Sequence, residues 1–132
     1  MQITMKSTLS SSHLDAKTRF RVQVKHAVAI GPGKADVLQA IAETGSIAEA
    51  GRRLGMSYQR VWSLVRAMNG DFVEPLVHAQ RGGSAGGGAT LTDVGARVLS
   101  IYRAIERDAE YAVGRRLPQL LALIRPDAGA ES

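Results

Sequence analysis

The stretch that decides the fold is SIAEAGRRLGMSYQRVWSLVR, residues 46–66 of a 132-residue chain. A helix-turn-helix needs two helices that touch through small residues and a turn residue that tolerates positive φ. Gly51 stands at the point of close approach and Gly55 at the turn. Apolar residues at helical spacing supply the inward positions, which are Ile47, Ala50 and Leu54 in the first helix and Met56, Val61 and Leu64 in the second. The stretch therefore predicts a helix-turn-helix.

Two serines are placed to begin these helices. Ser46 followed by Glu49 has the pattern of a capping box, and Ser57 can cap the second helix. The outward face of the second helix carries side chains that can bond base edges or phosphates, namely Tyr58, Gln59, Arg60, Ser63 and Arg66. We count these side chains and the two capping serines as candidate DNA-binding residues.

Positive charge is concentrated in the same stretch. The chain has 17 Lys and Arg against 12 Asp and Glu, and the segment from Arg52 to Arg66 holds four arginines and no acid. Arg52 and Arg53, late in the first helix, suit phosphates better than bases. A helical hairpin with a glycine turn also occurs in ordinary small helical proteins, but a merely solvated face would be richer in Glu and Lys. Trp62 has two interpretations, a half-buried core position or packing against the sugar-phosphate backbone.

The chain before the helix-turn-helix divides into a tail, a strand and a helix. Residues 1–17 are polar and without a periodic pattern, which indicates a mobile tail. Alternating apolar and polar residues predict a short edge strand at Phe20, Val22 and Val24. Gly31–Gly33 then breaks the chain, and a first helix follows until Gly45, a natural C-terminal cap.

After the helix-turn-helix the sequence predicts a two-stranded β-hairpin that forms a wing. Its strands are Leu76–Gln80 and Ala89–Leu91, joined by a glycine-rich tip. The tip residues that we assign to DNA contact are Arg81, Gly82, Gly83, Gly86 and Gly87. A flexible linker is the alternative interpretation. A nucleotide-binding loop is disfavoured because the Gly-Lys-Ser/Thr ending of a P-loop is absent.

A long helix capped by Thr92 completes the predicted fold, which is mainly α with a small β-hairpin. Its apolar stripe consists of Val94, Val98, Ile101 and Ile105. Because one small domain cannot cover such a stripe, it predicts a homodimer. Gly114 and Pro118 predict an interruption before a short helical segment. The predicted organisation is a tail at 1–17, a winged helix-turn-helix domain with its dimer helix at 18–113, and a C-terminal segment at 114–132.

Composition argues against several other classes of protein. The chain has no cysteine, which excludes disulfides, cysteine-based zinc sites and a cysteine nucleophile. It shows no signal peptide and no apolar run of membrane-spanning length, so we expect a cytoplasmic protein without membrane contact. The histidines His13, His26 and His78 are scattered, and the acidic clusters fit solvated surfaces. We therefore expect neither enzymatic activity nor a metal or cofactor.

A set of motifs resembles a known family. The motifs are Glu43–Ile47, Gly55–Tyr58, Val61-Trp62, Met68-Asn69, and Arg81–Thr92 with Gly95. Together they resemble the N-terminal DNA-binding domain of the molybdate-responsive repressor family, the ModE type, whose wing is similar to that of LysR-type regulators. The resemblance covers roughly Pro32 to Tyr111, most of the chain.

This resemblance implies a dimeric winged helix-turn-helix regulator that binds double-stranded DNA. It places Ser57–Arg60 and Ser63 toward the major groove and the wing against backbone or minor groove. Family members that sense molybdate do so through additional C-terminal domains, whereas only about twenty residues follow Tyr111 here. We therefore expect that this chain alone binds molybdate weakly or not at all. An interaction protein that uses the long helix, or a nonspecific nucleoid-type DNA binder, are the alternatives.

Overall fold

The computed structural model describes residues 21–24, 27–80 and 88–129. Its elements in chain order are β1 (Val22–Val24), β2 (Ala27–Ile30), α1 (Pro32–Thr44), α2 (Ile47–Leu54), α3 (Tyr58–Asp71), β3 (Val77–Ala79), β4 (Ala89–Leu91) and α4 (Asp93–Leu121). The described residues belong to two compact units, one up to Ala104 and the other from Ile105 onward. The predicted fold class is confirmed. The predicted tail at 1–17 and the tip residues 81–87 lie outside the described residues.

The predicted edge strand is β1, and it pairs with a strand that the alternation does not predict. β1 and β2 run antiparallel, with Val22 opposite Ile30 and a register shift after Val22. Ile30 is buried in the core of the first unit, and Val22 packs against that core. Phe20, the first residue of the predicted strand, lies outside the described residues. The paired strands lead directly into α1.

Helix α1 begins inside the segment for which the sequence predicts only a break. Pro32 takes the first helical position, where its missing N–H costs no intrahelical hydrogen bond and its fixed φ suits a helix. The helix ends at Gly45 as predicted, with φ of 71° and its N–H donated to the Ile41 carbonyl. Its sequence therefore carries a start signal at the proline and a stop signal at the glycine.

The core of the first unit is apolar and draws on every helix of that unit. Its buried residues are Ile30, Ala35, Val37, Leu38, Ala40, Ile41, Ile47, Ala50, Val61, Val65, Met68, Leu76, Val77, Ala89, Leu99 and Tyr102. Among the described residues no charged or strongly polar side chain is buried. The polar side chains that the sequence assigns to DNA contact are therefore on the surface wherever the structure describes them.

Hydrogen bonds attach the hairpin of β3 and β4 to helices α1 and α3. At the end of α3, the Asn69 side chain accepts hydrogen bonds from the N–H groups of Leu76 (2.8 Å) and Val77 (3.1 Å) and donates one to the Val77 carbonyl (3.2 Å). At the end of α1, the Gly45 carbonyl accepts a hydrogen bond from the Ala89 N–H at 3.0 Å. These bonds fix the described part of the hairpin relative to α1 and α3.

Helix α4 starts on the hairpin and closes the core. The Thr92 hydroxyl accepts a hydrogen bond from the Gly95 N–H at 2.9 Å, which confirms the predicted cap, and donates one to the Pro75 carbonyl at 2.7 Å. Leu99 and Tyr102 are buried on the side of α4 that faces the core. The first three turns of α4 are therefore an integral part of the first unit.

The interruption predicted at Gly114 and Pro118 is wrong, because α4 is continuous to Leu121. Pro118 lies inside this helix, three residues before its end, and lacks the N–H that would bond the Gly114 carbonyl. Its carbonyl still accepts a hydrogen bond from the Ala122 N–H at 3.1 Å. In the second unit Tyr111 is exposed, and the Arg115 guanidinium lies 5.7 Å from the centroid of its ring. The proposed division of the chain at residue 114 stays a prediction.

Candidate nucleic-acid interface

Ser46 caps helix α2 as predicted, but the capping box is incomplete. The Ser46 hydroxyl accepts a hydrogen bond from the Glu49 N–H at 3.1 Å. In a full box the Glu49 carboxylate would return to the Ser46 N–H. Instead, that N–H donates to the Thr44 hydroxyl at 3.3 Å, and the carboxylate binds Arg52. The Glu49 carboxylate therefore pairs with Arg52 on the surface of α2 and does not cap the helix.

The turn between α2 and α3 has the tight geometry that its glycines predict. A Cβ atom at Gly51 would lie 2.7 Å from the Met56 carbonyl oxygen, closer than real Cβ contacts. The Gly51 carbonyl in turn accepts a hydrogen bond from the Met56 N–H at 2.8 Å. Gly55 has φ of 68°, the left-handed region that favours glycine. Both glycines are thus required by the turn, one for space and one for its backbone angle.

Helix α3 presents the predicted polar face to solvent. The Ser57 hydroxyl caps it by accepting a hydrogen bond from the Arg60 N–H at 3.0 Å. Val61, Val65 and Met68 are buried along its inner side. The exposed positions include all the outward residues that the sequence predicts, namely Tyr58, Gln59, Arg60, Ser63 and Arg66. The structure therefore gathers these side chains on one helix face, and their contact with DNA stays a prediction.

Trp62 is a half-buried residue that packs against the core, in agreement with the first interpretation of this position. Its ring meets the Tyr58 ring edge to face, with centroids 6.3 Å apart and planes inclined at 67°. Tyr58 lies at the first turn of α3 and is exposed. Trp62 therefore supports the orientation of an exposed aromatic side chain at the start of the candidate recognition helix.

The two arginines assigned to phosphates are already engaged with carboxylates of their own chain. Arg52 forms an ion pair with Glu49 on the same helix, and the Arg53 guanidinium lies 2.5 Å from the Glu43 carboxylate on α1. The hydrogen bond from Arg52 is the main cause that holds the pKa of the Glu49 carboxyl below its usual value, and the positive charge of Arg52 is the second. The sequence does not single out Glu43, because its contact with Arg53 depends on the angle between two helices.

The described parts of the wing are its two strands and their immediate ends. His78 and Thr90 are cross-strand partners, and both are exposed. The Gln80 N–H donates a hydrogen bond to the Gly88 carbonyl at 2.9 Å, which closes the described part of the hairpin. The tip residues that the sequence assigns to DNA contact, Arg81, Gly82, Gly83, Gly86 and Gly87, lie outside the described residues.

The apolar stripe of α4 divides between the core and the solvent. Val94 and Val98 are half-buried and pack against the core of their own unit. Ile101 is 55% exposed. Ile105, the first residue of the second unit, is half-buried. Ile101 therefore retains the most exposed apolar surface of the stripe, and the role of the stripe in dimerisation stays a prediction.

Comparisons with known proteins agree with this geometry. Residues 34–96 match the family model of the bacterial regulatory helix-turn-helix protein, lysR family. The molybdenum-pterin-binding protein MopB of Rhodobacter capsulatus is 46% identical over 77 residues, 58% of this chain and 28% of that protein. The molybdenum transport protein ModE of Azotobacter vinelandii is 36% identical over 102 residues, 74% of this chain and 38% of that protein.

A solved structure of a DNA-binding domain has a similar fold. A crystal structure described as a CbnR DBD–DNA complex superposes with a TM-score of 0.53 and 25% identity, covering 67% of this chain and 95% of that one. The first unit is therefore a winged helix-turn-helix domain, and its sequence is similar to part of the ModE and MopB proteins. The chain spans between 28% and 38% of the length of the two relatives described above.

Two further properties concern the part of the chain that the structure describes. No helix in that part is both long enough and apolar enough to cross a membrane. Within the same residues, no three His, Asp or Glu side chains are grouped so that they could hold a metal ion.

Proposed function

We propose that the chain is a sequence-specific DNA-binding transcriptional regulator, in which α3 of a ModE-family winged helix-turn-helix domain enters the major groove. The observation that carries the proposal is the exposed face of α3, where Gln59, Arg60 and Ser63 project from a helix fixed by the turn at Gly55. Arginine and glutamine are side chains that read guanine and adenine edges through paired hydrogen bonds. The second helix of such a motif reads bases, while the first crosses the backbone.

The remaining elements have roles in the same complex. We assign the wing to the DNA backbone or minor groove and the α4 stripe to a homodimer that binds symmetric half-sites. Repression is the sign of regulation that we propose, with the protein acting in the cytoplasm as a binding protein rather than an enzyme. The regulatory role is supported by the family model, which is one of regulatory proteins, and DNA binding is supported by the CbnR structure, which is described as a DNA complex.

The proposal predicts a difference between arginines on α3 and on α2. Arg60→Ala is expected to reduce discrimination between operator and unrelated DNA by about 1–3 kcal/mol, because a base contact is lost. Arg52→Ala is expected to weaken binding to all sequences alike, and to make the dependence of log K on log salt shallower by about one. Binding isotherms on selected and scrambled DNA at several salt concentrations measure both effects.

The operator for this experiment comes from selection of bound fragments out of genomic DNA. A uniform loss of affinity from both substitutions would contradict base reading by α3 and would favour a nonspecific nucleoid-type binder. Absence of DNA binding by the native protein at physiological salt would favour the alternative of a helical interaction protein.

A link to molybdenum belongs to the proposal because MopB and ModE carry molybdenum in their names. We propose that this chain alone binds molybdate weakly or not at all, so that any response of its target genes to molybdate requires a partner chain or is absent. A tetrahedral oxyanion needs several convergent donors. The hydroxyl groups of Ser46 and Ser57 already accept hydrogen bonds from the N–H groups of Glu49 and Arg60.

The expected result of calorimetric titration of the purified chain with molybdate is the absence of saturable binding. Sulfate serves as a control for general anion effects at the basic surface. Saturable binding of molybdate, but not sulfate, at one oxyanion per chain would contradict the proposal and would require a sensor site within the chain.

A further inference from the structure

Two carboxylates form ion pairs with the arginines of α2 that we assign to DNA phosphates. Glu49 and Arg52 lie one turn apart on α2, and their side chains are 53% and 67% exposed. Glu43 at the end of α1 reaches Arg53 across the interface between the two helices, and both side chains are about half exposed. Each arginine of the α2 pair therefore has an acidic partner at the surface.

The partner of Arg53 is itself held in place. The second carboxylate oxygen of Glu43 accepts a hydrogen bond from the Gln39 side-chain amide at 2.8 Å. Gln39 lies one turn before Glu43 on α1, so the carboxylate is supported from its own helix and contacts Arg53 with its other oxygen. The arrangement presents one oxygen to the guanidinium in a defined position.

A carboxylate and a phosphate bind a guanidinium through the same geometry, two oxygens that accept from a planar fork of N–H groups. The Glu49 carboxylate binds one N–H donor of Arg52 and neutralises part of its charge, so it takes up part of what the guanidinium could offer to a phosphate. An exposed ion pair contributes little free energy, so a phosphate can displace the carboxylate at a small cost. The cost appears as a lower affinity for DNA.

We propose that Glu43 and Glu49 are internal competitors of DNA phosphates for Arg53 and Arg52, and that they set the sequence-independent part of DNA affinity. This inference rests on the proposed function, because it requires that α2 lie against the DNA backbone. Since phosphate contacts carry no base information, the competition lowers affinity for operator and unrelated DNA by the same factor. It thereby determines the salt concentration at which the complex dissociates and leaves the choice of operator to α3.

Glu49→Gln and Glu43→Gln test the proposal because each removes the charge and nearly preserves the shape. Each substitution is expected to raise affinity for operator and scrambled DNA alike by about two- to fivefold, the range that the strength of exposed ion pairs sets. The slope of log K against log salt is expected to become steeper by up to about one charge. Fluorescence anisotropy with both DNA duplexes at several salt concentrations measures affinity and slope together.

The control variant is Glu74→Gln, which makes the same change in net charge at an exposed position in the turn after α3. A second control repeats Glu49→Gln in an Arg52→Ala chain, where the gain is expected to vanish. A gain that persists without Arg52, or that equals the gain from Glu74→Gln, would overturn the proposal and leave only long-range charge. Unchanged affinity in Glu49→Gln and Glu43→Gln would overturn it too, with the proposed function intact, whereas failure of the native protein to bind DNA would remove both.

Discussion

Replacing Gly95 with alanine is expected to destabilise the winged domain by about 3 kcal/mol, the upper part of the usual range for overpacking. A Cβ atom at this position would lie 2.1 Å from the carbonyl oxygen of Leu76 and 2.9 Å from its carbonyl carbon. Both atoms belong to the backbone, so no side-chain rotation can relieve the contact. Either α4 or the segment that leads into β3 must move.

Movement of Leu76 would disturb the attachments of the hairpin. Its N–H donates to Asn69 on α3, and its carbonyl accepts a hydrogen bond from the Thr92 N–H at 2.9 Å. The Leu76 side chain is fully buried, so displacement also opens the core. The loss of free energy of unfolding should therefore be accompanied by weaker binding to DNA if the wing contributes to it. Urea unfolding monitored by circular dichroism measures the first effect.

Gly114→Ala on the same helix is the matched control. A Cβ atom at Gly114 would meet nothing within 4 Å, and the helix there is exposed. Alanine is the better helix former by about 1 kcal/mol, so this variant is expected to be unchanged or slightly more stable. Equal destabilisation by the two substitutions would contradict this explanation, because it would show that the close approach of Gly95 to Leu76 is not the reason that alanine destabilises the domain.

The features that sequence could predict are those whose causes lie within a few residues. Ser46 and Ser57 cap helices through hydrogen bonds to N–H groups three residues ahead, and Gly55 stops α2 through its own backbone angle. Once the apolar positions assign an inner face to α3, the exposed face that carries Arg60 follows from helical geometry alone. The helix-turn-helix was therefore predictable in both its boundaries and its orientation.

The features that sequence could not predict depend on how elements meet. The ion pair of Arg53 with Glu43 joins residues ten positions apart on different helices, and the hydrogen bonds of Asn69 join a helix to a strand. Neither pairing has a local pattern. Pro118 shows the opposite failure, because the local rule predicts a break at a residue that α4 includes.

Ile101→Glu is expected to convert the proposed homodimer into monomers. Val94 and Val98 are partly covered by their own core, whereas Ile101 leaves more than half of its surface in solvent and has the most to gain from a second copy. A glutamate there would place a charge in the proposed interface without entering the core of the monomer. Sedimentation at micromolar concentration measures the change in mass, and circular dichroism verifies that the fold is kept.

The same substitution is expected to lower affinity for DNA with two half-sites by about 100-fold, because the second half-site is no longer bound by a linked copy. Affinity for a single half-site should change little, since α3 is untouched. Ser100→Glu, an exposed neighbour one position off the stripe, is the control and should leave both mass and affinity near their native values. A native protein that sediments as a monomer, or an Ile101→Glu variant that remains dimeric, would show that the α4 stripe is not the dimer interface.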